Sequence, residues 1–158
     1  MNQKTFLTKS GLEKLKAEIY HLRHVESKAC IEAIADARDK GDLSENSEFD
    51  VANENYDNVI MRINNLSLIL NTAVVIHEED VNTDIVQILT TVSLKNKKTN
   101  KELSYTIVPN REINIKEGKI SVNGAVAQAL IGKTVGDSVK VKTPSGEELE
   151  FEILNISI

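Results

Sequence analysis

Two carboxylates in one short stretch are the clearest candidates for chemistry in this 158-residue chain. Asp42 and Glu45 lie in the sequence GDLSEN, residues 41–46, between two long segments with helical patterning. Carboxylate oxygens suit Mg²⁺, but the ion requires about six ligands in near-octahedral geometry. Two side chains could share a magnesium ion without holding it alone. The remaining ligands would come from water, a substrate phosphate or a second protein.

The same stretch also fits a purely structural interpretation. Asp42 as N-cap and Glu45 three residues later match a capping box, and both charges favour a helix N-terminus. The surrounding charge argues for more than capping, because residues 36–57 contain eight acids against two bases, Arg38 and Lys40. Such a cluster is electrostatically unfavourable unless it meets a cation or a metal-bearing pocket. Capping and metal delivery are compatible, and both interpretations stay open.

Helical periodicity on both sides predicts the scaffold that positions these acids. Apolar residues from Leu12 onwards follow helical spacing with one stutter, which predicts a first helix over residues 9–40. The next run steps alternately by three and four residues, as in a coiled-coil seam, and predicts a second helix over 44–70. The members of this seam are Phe49, Ala52, Tyr56, Val59, Ile63, Leu66 and Leu70. Because Gly41 suits a helix C′ position and the connection is short, we expect an antiparallel hairpin with the acids at its tip.

After about residue 76 the pattern changes to short runs rich in Val, Ile and Thr, separated by polar turns. Such runs predict strands, which we place at 85–94, 102–108, 119–122, 138–142 and 149–156, with one short helix at 124–131. The expected fold class is therefore α+β. A coiled-coil hairpin should occupy residues 1–76, and an antiparallel sheet with one helix should occupy residues 77–158.

Composition limits the classes of function. The net charge of −5 disfavours a free-standing nucleic-acid binder, because neutralising phosphates requires a surplus of Lys and Arg. Cys30 is the only cysteine and cannot form an intramolecular disulfide, which favours a reducing, cytoplasmic setting. No apolar run is long enough for a signal peptide or a membrane span, so we expect a soluble protein without membrane association.

The whole chain resembles the bacterial Gre transcript-cleavage factors, which assist RNA polymerase during elongation. The resemblance starts at LTKSGLEKLKAEI (7–19), is closest at IADARDKGDLSENSEFD (34–50), and resumes at GKISVNGAVAQALIGKTVGDSVKVKTPSGEELEFEI (118–153). It implies a hairpin that enters the secondary channel of RNA polymerase and an FKBP-like C-terminal domain docked at the channel rim. Asp42 and Glu45 would then help to hold magnesium and its attacking water in the polymerase active site. The nuclease would be the polymerase, and this chain alone would hydrolyse nothing.

Two segments depart from the usual family pattern. Asn53 stands where the family commonly carries Lys or Arg against the extruded RNA, and its neutrality removes one phosphate contact. Phe49 keeps an aromatic ring that fits either an RNA contact or packing on the helical seam. Asn123, Gly124 and Gln128 belong to NGAVAQALIGK, where the family typically reads SPIARALIGK. This second segment is a candidate for docking to polymerase, or it simply packs on the sheet.

The function expected from this resemblance is that of a monomeric elongation factor that stimulates polymerase to cleave backtracked nascent RNA, with magnesium held jointly. The alternative is a Gre-like protein that occupies the channel and regulates or inhibits polymerase without cleavage, which Asn53, Asp50 and Gln128 favour. A third possibility is a coiled-coil assembly module that self-associates through its seam. An independent enzyme is disfavoured, because His21, His24 and His77 lie far from the acidic stretch in sequence.

Overall fold

The computed structural model describes residues 4–41 and 46–158, and the chain divides into two units. Lys9–Val75 make up the body of the first unit, and Phe6–Thr8 with Ile76–Ile158 make up the second. The first unit is helical and the second is built on a β-sheet, so the predicted α+β class is confirmed. Within the described residues, no helix is long and apolar enough to cross a membrane.

The first unit is built from helices. These are α1 (Lys9–His21), a π-helical turn (Leu22–Glu26), α2 (Ser27–Asp39) and α3 (Ser47–Thr72). The first three run on from one another, so the predicted first helix is confirmed over almost its whole length. The predicted second helix is also present, but α3 begins three residues later than the sequence pattern indicated.

The π-helical turn lies where the apolar spacing of the first helix shows its stutter. The backbone N–H of Ser27 donates to the carbonyl of Leu22, five residues back, instead of the usual four. This wider turn changes the phase of the residues that follow it. The stripe that starts at Leu15 and Ile19 can therefore continue facing α3 as far as Ala37, and all three side chains are buried.

Contacts between the helices show that they run antiparallel. Arg62 Nε on α3 donates to Glu18 Oε1 on α1 at 3.1 Å, whereas Asn46, at the start of α3, contacts Ala37 near the end of α2. Apolar side chains fill the seam between the helices, and burial of such surface is what holds a hairpin together. Its buried members are Leu15, Ile19, Leu22, Ala37, Ala52, Ile63 and Leu66.

In the described part of the chain, five strands of the second unit form one sheet in the order β5-β4-β3-β7-β6. They are β3 (Thr91–Asn96), β4 (Glu102–Val108), β5 (Lys119–Ser121), β6 (Ser138–Lys142) and β7 (Glu148–Ser157). The predicted short helix is present as α4 (Ala125–Leu130). Near the start of the chain β1 (Thr5–Thr8) pairs with β2 (Ala73–Ile76), and the sequence pattern indicated neither strand.

The sheet is mixed, so the prediction of an antiparallel sheet is wrong at one edge. β5 runs parallel to β4, with Thr106 opposite Lys119 and Val108 opposite Ser121. Parallel neighbours require a connection that returns the chain to the same end of the sheet. Residues 109–118 provide it, folding through 3₁₀ turns at Asn110–Glu112 and Ile115–Glu117.

The strand predicted at 85–94 is wrong in its first half, because β3 begins only at Thr91. Leu89 has a φ of 71°, and its N–H donates to the Ile107 carbonyl at 2.7 Å. The segment before β3 is therefore a loop whose apolar residues Val86 and Leu89 are buried. A buried loop and a buried strand give the same short apolar run, so periodicity alone could not separate them.

One hydrophobic core lies between α4 and the sheet of the second unit. Ala127 and Leu130 from the helix pack there with Val92 and Leu94 from β3 and Ile153 from β7. The other buried members are Val86, Ile107, Val139, Val141, Phe151 and Ile156.

Leu130→Ala should lower the free energy of unfolding by about 2–5 kcal/mol, because it leaves a cavity at a fully buried position. Urea unfolding followed by circular dichroism measures the change. Val135→Ala is the matched control, since Val135 is 54% exposed and its truncation should change stability by no more than about 0.5 kcal/mol. Equal unfolding midpoints for the two variants would contradict this placement of the core.

Candidate functional site

Asp42 and Glu45, the predicted metal ligands, lie outside the described residues. The described chain stops at Gly41, just after α2, and resumes at Asn46, just before α3. The described residues nearest to them in sequence are Gly41 and Asn46, which we call the two supports of the site.

Gly41 forms the first support. Lys40 is the C-cap of α2 and donates its N–H to the Ala37 carbonyl at 3.3 Å, so Gly41 occupies the C′ position, as predicted. The φ of Gly41 is 147°, a backbone angle that residues with a Cβ rarely adopt. Glycine is thus required for the direction in which the chain leaves α2.

Asn46 forms the second support and joins both helices through one side chain. Its Oδ1 accepts a hydrogen bond from the Phe49 N–H at 3.2 Å, which caps α3. Its Nδ2 donates to the Ala37 carbonyl at 2.6 Å, which ties the start of α3 to the end of α2. One amide therefore satisfies a helix N-terminus and a helix C-terminus together.

The capping interpretation of the acidic stretch is wrong in its assignment of the N-cap. Asn46 caps α3, and the helix begins at Ser47, so Asp42 is not the N-cap residue. Asp, Ser and Asn are almost equally good N-caps, and GDLSEN contains all three types. The sequence alone could not select among them. Asn carries the acceptor for α3 and the donor for α2 on two separate atoms, whereas an ionised Asp has no donor and Ser has a single hydroxyl for both.

The described acids around the supports are little compensated. Lys40 Nζ lies 3.2 Å from Glu48 Oε2, but both side chains are exposed, and such an ion pair contributes little stability. Glu48 and Asp50 lie in the first turn of α3, where the helix dipole favours negative charge.

The structure places Phe49 and Asn53, the predicted RNA-contact residues, on successive turns of α3. Both are half-buried, and Asn53 Nδ2 donates to the Phe49 carbonyl at 2.9 Å. The amide of Asn53 is thus folded back on its own helix. Phe49 lies at a seam position while its N–H contacts Asn46, so the two predicted residues belong to the same local structure as the cap.

Asn123, Gly124 and Gln128, the predicted docking residues, lie together at the start of α4. Gln128 Nε2 donates to the Val122 carbonyl at 2.7 Å, and the Asn123 N–H donates to Ser121 Oγ at 3.0 Å. Gly124 is the N-cap of α4. The packing interpretation holds for the other face of α4, which carries Ala127 and Leu130, whereas Asn123 and Gln128 are exposed.

Sequence reasoning missed a shallow groove of about 460 Å³ between the last turns of α2 and the first turns of α3. Its lining includes three alanines, Ala33, Ala37 and Ala52, whose small side chains leave space between the helices. Ala33 and Ala37 are four residues apart on α2, and this spacing is the signal that could have indicated the groove. Its lining residues are Ala33, Asp36, Ala37, Lys40, Ser47, Glu48, Val51, Ala52 and Asn55.

Both units match family models of one class of proteins, the transcription elongation factors. The family model for the N-terminal domain of these factors matches residues 5–75, and the GreA/GreB C-terminal model matches residues 81–158. The chain belongs to the GreA/GreB family of transcription elongation factors, so the resemblance seen in the sequence is confirmed.

Curated relatives match the full length of the chain. The transcription elongation factor GreA of Chloroherpeton thalassium is 42% identical over 100% of this chain and 99% of the relative. GreA of Chlorobium limicola is 45% identical over the same shares of the two chains. Among solved structures, the GreA factor homolog 1 (Gfh1) of Thermus thermophilus is 25% identical, covers 99% of this chain and 100% of its own, and gives a TM-score of 0.45.

Asn46→Ala should destabilise the first unit by about 0.5–2 kcal/mol, because α3 loses its cap and the Ala37 carbonyl keeps only the longer hydrogen bond from the Lys40 N–H. Asn46→Asp keeps the acceptor for Phe49 N–H and should lose less. Hydrogen exchange of the amides at the start of α3, together with urea unfolding, measures both changes.

Asn58→Ala is the control, since Asn58 is exposed within α3 and alanine is the better helix former. If Asn46→Ala proves no more destabilising than Asn58→Ala, the bridging role of Asn46 is contradicted.

Proposed function

We propose that this protein binds RNA polymerase and stimulates the polymerase's own cleavage of backtracked nascent RNA. The observation that carries this proposal is the antiparallel hairpin, in which α2 ends at Asp39 and α3 begins at Ser47, so that Asp42 and Glu45 belong to the connection between them. Membership of an elongation-factor family supports a role at this stage of transcription.

The length of the hairpin suits delivery of the acids into a channel. The 26 residues of α3 span about 39 Å at a rise of about 1.5 Å per residue. The packed seam stiffens this support, and the Asn46 bridge fixes the two helix ends against each other. A carboxylate carried on such a rigid support loses less freedom when it engages a metal.

Magnesium fits the donor set of the acidic connection as a shared ion. Asp42 and Glu45 supply the hard oxygen ligands that Mg²⁺ prefers. Because Mg²⁺ takes about six oxygen ligands, the two carboxylates would provide only part of a coordination sphere that the polymerase completes. When bound, magnesium activates water and stabilises the leaving oxygen in phosphodiester hydrolysis.

We assign the nuclease centre to the polymerase and an accessory role to this chain. The task of Asp42 and Glu45 is to hold and orient ligands, and the negative charge around them attracts the cation. His21 and His24 lie in the first helical stretch and His77 precedes the second unit's sheet, so the histidines are spread along the chain. The two arms of the hairpin bury their apolar stripes against each other within one chain, which supports action as a monomer. Because bacterial transcription takes place in the cytoplasm, we expect the protein to act there.

Asp42→Asn combined with Glu45→Gln should abolish stimulated cleavage and leave polymerase binding intact, because the amides keep the shape but lose the ligand charge. The assay follows RNA shortening in halted, backtracked elongation complexes formed with polymerase from the same organism. Binding is measured separately with fluorescently labelled protein.

Asp50→Asn combined with Glu54→Gln is the matched control, since it removes the same charge from exposed positions on α3. This variant should retain cleavage. Full cleavage by the Asp42 and Glu45 variant would refute the proposed ligand role.

A second candidate function is that of a polymerase-binding regulator that does not stimulate cleavage. Asn53 is the observation that favours it, because its side chain is neutral and its amide donates to the Phe49 carbonyl. A residue in this state offers no cation to RNA phosphates, which weakens the hold on a backtracked strand.

Asn53→Lys should increase cleavage of backtracked RNA at limiting protein concentration, because it restores a cation near Phe49. The increase should shrink as salt is raised, as expected for a phosphate contact. Asn58→Lys adds the same charge further along α3 and should have little effect. If Asn53→Lys and Asn58→Lys give equal cleavage at every salt concentration, the proposed RNA contact at position 53 is contradicted.

A further inference from the structure

The turn between β3 and β4 carries the densest run of positive charge in the sequence. Residues 95–101 read KNKKTNK, with four lysines, no acid and no apolar residue. The turn itself, residues 97–101, is exposed throughout. Single exposed lysines are ordinary on protein surfaces. A run of this density, in a chain whose net charge is −5, indicates a local surface for an anionic partner.

Hydrogen bonds hold this turn in one shape. Asn96 Oδ1 accepts from the N–H groups of Lys98 at 2.9 Å and of Thr99 at 3.3 Å. The Asn96 N–H donates to the Lys101 carbonyl at 2.9 Å, and the Asn100 N–H donates to the Asn96 carbonyl at 2.8 Å. Asn100 has a φ of 57°, in the left-handed region that asparagine tolerates better than most residues. Because the turn is closed, its lysines lose little backbone freedom when they bind.

Acids of the sheet compensate two of the four lysines. Lys95 on β3 lies between Glu102 on β4 and Glu152 on β7, directly opposite both in the strand register. Lys97 Nζ lies 3.4 Å from Glu150 Oε1, and both side chains are partly exposed. These two lysines therefore serve mainly the pairing of the sheet.

The other two lysines, Lys98 and Lys101, are uncompensated. Neither ammonium group forms an ion pair or a hydrogen bond within the described residues, 4–41 and 46–158. Only two residues separate them, and both lie on the same closed turn, so one extended anionic strand can meet both.

The composition of the turn favours a phosphate backbone over an acidic protein as the partner. Protein interfaces are depleted in lysine and are centred on apolar or aromatic anchors, and residues 95–101 contain no such anchor. Between the two lysines the turn instead presents the Thr99 hydroxyl and the Asn100 amide. Lysine, threonine and asparagine are among the side chains that contact phosphate oxygens in nucleic-acid complexes.

We propose that the β3–β4 turn binds the phosphate backbone of nucleic acid in the transcription complex, with Lys98 and Lys101 on the phosphates and Thr99 and Asn100 as neutral donors. The inference rests on the proposed function only in naming that complex. Two charges give weak binding to free nucleic acid. A polymerase that holds this chain raises the effective concentration of the turn near DNA and RNA, so a weak contact suffices.

The test titrates the ¹⁵N-labelled full chain with a short single-stranded RNA and, separately, with a DNA duplex of the same length. The amide resonances of residues 96–101 should shift at about 50 mM salt and return towards their free positions at about 200 mM salt. A response to RNA alone assigns the phosphates to RNA, and a response to the duplex alone assigns them to DNA. Either response supports the phosphate contact.

Lys98→Gln combined with Lys101→Gln should weaken this binding about tenfold or more at about 50 mM salt. The slope of log affinity against log salt concentration should fall by roughly one to two units, since two phosphate contacts are lost. In backtracked elongation complexes the same variant should require a higher protein concentration for half-maximal RNA cleavage, with the maximal rate unchanged.

Matched controls separate the phosphate contact from folding and from net charge. Lys98→Arg combined with Lys101→Arg keeps both charges and should bind as the unchanged protein does. Lys116→Gln combined with Lys133→Gln removes the same charge from exposed positions elsewhere on the second unit and should change the affinity little. Urea unfolding should show both glutamine variants to be as stable as the parent, because the substituted side chains are exposed.

Three results would overturn the inference. The first is the absence of any shift at residues 96–101 with either nucleic acid at about 50 mM salt. The second is an equal loss of affinity in the two glutamine variants, which would show a dependence on net charge alone. The third is binding of a poly-glutamate peptide as tight as that of RNA and duplex DNA, which would assign the turn to acidic proteins.

These outcomes are distinguishable from failure of the proposed function. If the unchanged protein binds nucleic acid through the turn but does not stimulate RNA cleavage, the proposed function fails and the phosphate contact stands. If cleavage is stimulated and its concentration dependence is the same for the unchanged protein and for Lys98→Gln with Lys101→Gln, the contact in the transcription complex is refuted and the proposed function stands.

Discussion

The apolar seam between the two arms of the hairpin is the interaction on which the rest of the first unit depends. Its buried side chains bring the end of α2 beside the start of α3, and only then can the Asn46 amide reach the Ala37 carbonyl. The π-helical turn at Leu22–Glu26 keeps the stripe on the facing side over the whole first arm. Gly41 and Asn46 then fix where the acidic connection leaves and re-enters the helices. Packing along the length of the hairpin thus determines the support of a few residues at its end.

Long-range periodicity made the hairpin predictable, whereas the residue at which each helix is capped could not be predicted from it. Alternating steps of three and four residues predicted α3, but its start depends on which of several good capping residues meets Ala37, and that is a tertiary contact. In the second unit the apolar run before Thr91 resembled a strand and is a buried loop, because sequence does not distinguish two ways of burying Val86 and Leu89. The parallel pairing of β5 depends on how residues 109–118 return the chain, which local pattern does not encode.

The site itself was predicted by charge and by resemblance more than by structure. Eight acids in 22 residues indicated a function beyond capping, and the family resemblance supplied the chemistry. Only the structure shows that Asn46 bridges the two helices and that the Asn53 amide donates to its own helix. Each contact depends on the position of a backbone carbonyl, which the sequence does not specify. In the account proposed here, the first unit lends ligands to the polymerase through Asp42 and Glu45.

The claim that Asp42 and Glu45 complete a magnesium site is tested most directly by the magnesium dependence of cleavage. RNA cleavage in backtracked complexes would be measured at saturating protein over a range of magnesium concentrations, with and without this protein. Added ligands should lower the magnesium concentration for half-maximal cleavage, and Asp42→Asn with Glu45→Gln should return it to the value of polymerase alone. An unchanged magnesium requirement, with cleavage nevertheless stimulated, would contradict the account.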